Sequence, residues 1–65
     1  MCLSTVYKNE KSPETVVLKN VMALECRDGM VILTDLMERT MAVEGTLEMA
    51  NLVDGYVIIR TPEGE

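Results

Sequence analysis

Apolar and polar positions in this chain come in short runs, and turn residues punctuate them about every eight to twelve positions. That rhythm predicts strands. Residues 2–8 are rich in β-formers, with Thr5, Val6 and Tyr7 in a row. Residues 9–13 are polar and contain Lys11-Ser12-Pro13, which predicts a turn. A second strand is expected over 14–18, around Val16 and Val17, with Lys19-Asn20 interrupting it. A third follows over 21–26, with Met22, Leu24 and Cys26 on one face and Val21, Ala23 and Glu25 on the other.

The clearest hairpin signal is Arg27-Asp28-Gly29, because Asp-Gly readily takes the positive φ values of a tight turn. The next strand, 30–37, is apolar on both faces over 30–33, which fits a covered strand better than an exposed edge. Glu38-Arg39 predicts a short turn, and a strand over 40–44 ends at Gly45. Residues 46–52 leave two readings open, since Leu47, Met49 and Leu52 suit a helical stripe or an irregular strand. Asp54-Gly55 opens a second hairpin into 56–60, where Val57, Ile58 and Ile59 again run apolar on both faces. The polar stretch 61–65 is expected to fray. The fold class is therefore all-β, with one domain over 1–60 built from five to six short antiparallel strands. A small sandwich or barrel fits them, and closure removes the edges that a flat meander would present.

Composition sharpens this picture. A chain of 65 residues holds one domain, and one of that size buries only about 60% of its unfolded surface. With two Tyr and neither Phe nor Trp, aliphatic residues and Met must build the core, Met serving as gap filler. Hydrophobic residues make up 48% of the sequence, so some of them must cover another subunit or stay exposed; this predicts a homodimer. The net charge of −5 and the scatter of Lys8, Lys11, Lys19, Arg27, Arg39 and Arg60 argue against a nucleic-acid partner. No apolar run approaches the ~20 residues that cross a bilayer, and no basic region precedes an apolar one at the start. The expectation is a cytoplasmic protein without a membrane partner, its thiols kept reduced.

Candidate chemistry is sparse. Without histidine the chain lacks the commonest general base and metal ligand, and Ser4 and Ser12 have no triad partner. It also lacks a Gly-rich phosphate loop and a CxxC pair, and Glu10, Glu14, Glu38, Glu44 and Glu48 read as solvated surface. An enzyme is not expected. Cys26 reads as a small buried hydrophobe. Cys2 differs because the chain start adds donors: α-amine, first amide and thiolate can close small chelate rings on one ion. If Met1 is retained, its amine, the deprotonated Cys2 amide and the Cys2 thiolate form a planar set; if it is removed, the Cys2 amine and thiolate form one ring. Such nitrogen and thiolate donors suit Ni(II) or Cu(II).

The opening Met1-Cys2-Leu3, the length, the acidic charge and the strand order resemble the CooT family of small nickel-binding proteins. The likeness runs through the apolar strand before Arg27-Asp28-Gly29, residues 30–36, and Asp54-Gly55-Tyr56-Val57-Ile58. It ends at Arg60, and the stretch beyond is longer than that pattern leads one to expect. The resemblance implies an SH3-like β-barrel that dimerises and binds Ni(II) through Cys2, with Met1 supplying the amine where it is retained. It also implies a metallochaperone that delivers nickel to carbon monoxide dehydrogenase during maturation, with that enzyme or its maturation factors as partner. The alternative is a small-barrel protein-interaction module in which Cys2 is incidental.

Overall fold

The computed structural model describes residues 3–62. Its strands are β1 (Ser4–Lys8), β2 (Val16–Arg27), β3 (Met30–Asp35), β4 (Thr40–Glu44), β5 (Thr46–Asn51) and β6 (Tyr56–Arg60). One 3-10 turn, Pro13–Thr15, precedes β2, with the Ser12 hydroxyl accepting from the Glu14 N–H at 3.3 Å. The strands form one sheet in the order β4-β3-β2-β1-β6-β5. Its outermost strands, β4 and β5, are consecutive in the chain and joined only by Gly45, so the sheet curls until its two edges meet. The Gly45 N–H donates to the Gly29 carbonyl at 2.9 Å, extending the β3–β4 ladder by one pair before the chain crosses to β5. The all-β, barrel-like architecture expected from the sequence is present.

Strand sense differs at one seam. β1 and β6 run parallel, in register from Thr5 opposite Tyr56 to Lys8 opposite Ile59, so the sheet is mixed rather than wholly antiparallel. The reason is connectivity. A tight hairpin forces antiparallel pairing, whereas β1 and β6 are linked through the whole body of the barrel and are free to align.

The break expected at Lys19-Asn20 is a bend inside one strand. Asn20 takes φ 58°, a left-handed conformation that Asn tolerates, and β2 continues to Arg27. Its first half pairs with β1 and its second half with β3. The β2–β3 register slips between Val21 and Ala23, leaving Met22 as the extra residue. Val21 and Leu24 therefore both face the core and Met22 faces solvent. The expectation of a buried Cys26 is corrected: it keeps the face of Leu24, opposite buried Val31, but lies at the hairpin end of β2, next to Arg27 and the Asp28-Gly29 turn, where the thiol reaches solvent.

The core is aliphatic: Val6, Val21, Val31, Leu33, Val57 and Ile59 are buried, with Val17, Leu18, Leu24 and Val43 packed against them. Alternate residues of β3 and β6 point inward, so the apolar runs 30–33 and 57–59 bury one face and half-cover the other. Methionine is not the core filler. Met22, Met37, Met41 and Met49 are all exposed, and valine, isoleucine and leucine side chains fill the interior. Residues 46–51 resolve as strand β5, paired with β6 across a register shift between Leu47 and Met49. At the first hairpin Asp28 and Gly29 both take positive φ, 53° and 78°, as its sequence demanded. Thr61 is buried; its N–H donates to the Asn9 side-chain carbonyl, and the Asn9 amide donates to its hydroxyl, both at 2.9 Å.

Among the described residues one buried side chain is charged. Asp35 ends β3 facing inward, and its carboxylate accepts from the Met37 N–H at 3.0 Å, the Arg39 N–H at 2.9 Å and the Arg39 guanidinium at 2.9 Å. These bonds shape the β3–β4 turn, where Glu38 sits at φ 65°. The Arg39 N–H bond does most to hold the Asp35 carboxyl below its ordinary range; the guanidinium and the Met37 N–H add to it, against the opposing effect of burial. A carboxylate whose pKa is depressed by folding stabilises above its unfolded value and loses that contribution as pH falls through the folded one. In urea melts, Asp35→Asn should therefore unfold well before the parent at pH 7. The gap should narrow below about pH 4, where the parent carboxylate takes up its proton.

Candidate functional site

Cys2 and Met1, the metal ligands expected from the sequence, lie outside the described residues. The geometry begins at Leu3. The Leu3 carbonyl oxygen lies 3.3 Å from the point where a side chain on Gly55 would begin, and the Thr5 N–H donates to the Gly55 carbonyl at 3.0 Å. The start of β1 is thus stitched against the β5–β6 turn. Asn51 builds that turn, its side-chain oxygen accepting from the N–H groups of Val53 and Asp54 at 3.1 and 2.9 Å. The Gly55 N–H closes it on the Asn51 carbonyl at 2.9 Å, with Gly55 at φ 81°.

This turn pushes apolar side chains into solvent, Leu52 at 75% exposure and Val53 at 91%. Beside it an apolar groove of about 180 Å³ runs between β2 and β5, with Ser4 at its edge and Met22, Leu24, Leu47, Leu52 and Val57 along it. An exposed apolar surface of this kind on so small a body is the candidate place of contact with another molecule. It adjoins the start of the described chain.

Among the described residues, no group of three or more Cys, Asp or Glu side chains is gathered closely enough to hold a metal ion. Cys26 presents an exposed thiol on β2. Ser4 pairs with Val21, five residues earlier on that strand, a distance of roughly 16 Å along an extended chain. Glu10, Glu14, Glu38, Glu44 and Glu48 are exposed, as their solvated reading expected. Glu25 pairs with Arg27, and Glu48 with Arg60 at 2.9 Å.

A second concavity lies on the outer face of β1 and β2, an open cleft of about 460 Å³ lined by Thr5, Tyr7, Lys11, Ser12, Val16 and Lys19. Tyr7 packs edge-on against Tyr56, ring centres 6.3 Å apart and planes at 77°. The Lys11 ammonium stands 5.1 Å from the Tyr56 ring centre and 5.9 Å from that of Tyr7. Nothing in the strand pattern singles out these tyrosines. Their rarity was the available signal: they are the only aromatic residues in the chain, and the parallel β1–β6 seam unites them.

A curled six-stranded sheet with an apolar groove beside its N-terminal strand defines a small barrel-like all-β protein. No helix among the described residues is long and apolar enough to cross a membrane. The chain belongs to the CooT family: the family described as CO dehydrogenase accessory protein CooT matches residues 1–60 of its 65. No curated protein matches it.

Proposed function

We propose that this protein is a cytoplasmic nickel metallochaperone, holding Ni(II) through Cys2 and delivering it to carbon monoxide dehydrogenase, or to that enzyme's maturation factors. The observation that carries the reading is membership, over residues 1–60, of a family of CO dehydrogenase accessory proteins by a chain that opens Met1-Cys2. A metal-bound cysteine is deprotonated, and a thiolate combined with amine or amide nitrogen suits Ni(II). With histidine absent from the sequence, Cys2 with the Met1 or Cys2 amine is the donor set best matched to that ion.

The chemistry of a carrier favours such a site. A storage site saturates its metal with protein ligands, whereas a two- or three-donor site leaves positions that an acceptor's ligands can occupy during transfer. The apolar groove and the exposed Leu52 and Val53 supply a surface for a second subunit, which supports the homodimer. Two Cys2 thiolates facing each other across a two-fold axis would share one ion.

Isothermal titration of the untagged protein with Ni(II) tests this. Saturation near about half an ion per chain, with near-ultraviolet thiolate-to-nickel absorption and a dimer in sedimentation, is the expected result. Absence of any sulfur-dependent nickel binding would overturn it.

A further inference from the structure

We infer that the cleft formed by Tyr7, Val16, Lys11 and Lys19 on the outer face of β1 and β2 docks an extended acidic segment of a partner protein. The inference concerns protein docking and holds whether or not Cys2 binds nickel.

Charge carries the argument. The three arginines are each matched to a carboxylate: Arg27 to Glu25, Arg39 to Asp35 and Arg60 to Glu48. Lys8 is engaged as well. Lys11 and Lys19 are in no ion pair among the described residues, and both line this one cleft. Glu10 and Glu14 flank the loop above it, yet no carboxylate lines it. On a chain of net charge −5 most of the surface repels an acidic segment. Two unmatched ammonium groups in one concavity set where such a segment lands and in which register.

The floor suits the same occupant. Tyr7 and Tyr56 lock each other edge-on, giving a half-buried aromatic platform that needs little ordering on contact. Tyrosine is enriched where binding energy concentrates, because it offers apolar area and a polar tip together. The Lys11 ammonium rests over both rings, which holds its charge at the rim rather than loose in solvent. An extended peptide with alternating side chains can direct carboxylates at Lys11 and Lys19 while an apolar side chain covers Tyr7 and Val16.

The test uses the full chain without metal and a capped five-residue peptide alternating glutamate and leucine. The two tyrosines are the chain's only aromatic residues, so intrinsic fluorescence reports the cleft directly. We expect a saturable fluorescence change, with NMR shifts centred on Tyr7, Lys11, Val16, Lys19 and Tyr56. The same peptide with glutamine for glutamate should bind at least about tenfold more weakly, and Lys11→Glu and Lys19→Glu should each weaken the acidic peptide to a similar degree. Both lysines are exposed, and a thermal melt confirms that the variants remain folded. Equal binding of the two peptides overturns the inference, as does indifference to both substitutions or shifts centred on the apolar groove. Saturation of the cleft by inorganic phosphate at matched ionic strength, or by single-stranded RNA in preference to the peptide, overturns it too. Repeating the titration on Cys2→Ser separates this result from the nickel reading: docking should persist there unchanged.

Discussion

Cys2→Ser should lower nickel affinity by at least about a hundredfold and erase the thiolate absorption, while Cys26→Ser should change neither. Loss of an outer partner of a metal ligand already costs about ten- to a hundredfold, so loss of the ligating thiolate itself should cost no less. Serine keeps the size of the side chain but stays protonated at neutral pH and is a poor nickel donor. The Cys26 comparison is essential because that thiol is exposed. It can take up nickel weakly or form disulfides between chains, and either would mimic a second site. Titration calorimetry with parallel absorption spectra on the parent and both variants decides the matter. Retention of tight, sulfur-ligated nickel by Cys2→Ser would remove Cys2 from the mechanism.

The largest expected effect on stability lies at Gly45. A methyl group there would run into the Arg60 carbonyl oxygen and stand 3.1 Å from the Ile59 side chain. Neither can yield easily: Arg60 belongs to the ladder with β5, and Ile59 is fully buried. The backbone at Gly45 also takes φ 155°, at the margin of what side chains tolerate. Overpacking of this kind costs about 1–3 kcal/mol, occasionally more. A domain of this length holds only about 3–10 kcal/mol in total. Gly45→Ala should therefore lower the melting temperature by roughly 10 °C or more. Gly29→Ala is the matched comparison, since φ there is 78° but no atom lies within 4 Å of the added carbon. If the Gly29 variant melts as early as the Gly45 variant, close approach at the seam is not what makes Gly45 necessary.

Local chemistry was legible in the sequence, and long-range geometry was not. Asp28-Gly29 announced its hairpin because two consecutive positive φ values leave few other residues eligible. Val6, Val57 and Ile59 sit in the core, as apolar residues within predicted strands should. The faces of Val21 and Met22 were misread for a definite reason: one extra residue at Met22 puts Val21 and Leu24, three positions apart, on the core side and turns Met22 to solvent. Cys26 keeps the face of Leu24 and is exposed by its place at the hairpin end. No pattern of period two records a bulge in advance. The parallel seam between β1 and β6 escaped notice because it joins residues some fifty positions apart, and with it went the meeting of Tyr7 and Tyr56. Asp35 lay hidden among many acidic residues. Its mark is positional, an aspartate two and four residues before the backbone donors of the turn that it organises.

The parallel pairing of β1 with β6 also gives the molecule two poles. Leu3 comes in beside Gly55, at one end of the seam. Thr61 leaves beside Asn9 at the other, six residues along each strand or roughly 20 Å away. A protein grasped near Thr61 therefore still turns its Leu3 pole toward whatever approaches from the opposite side. The metal exchange proposed for Cys2, the residue before Leu3 in the chain, would then fall at the end opposite a grip on Thr61.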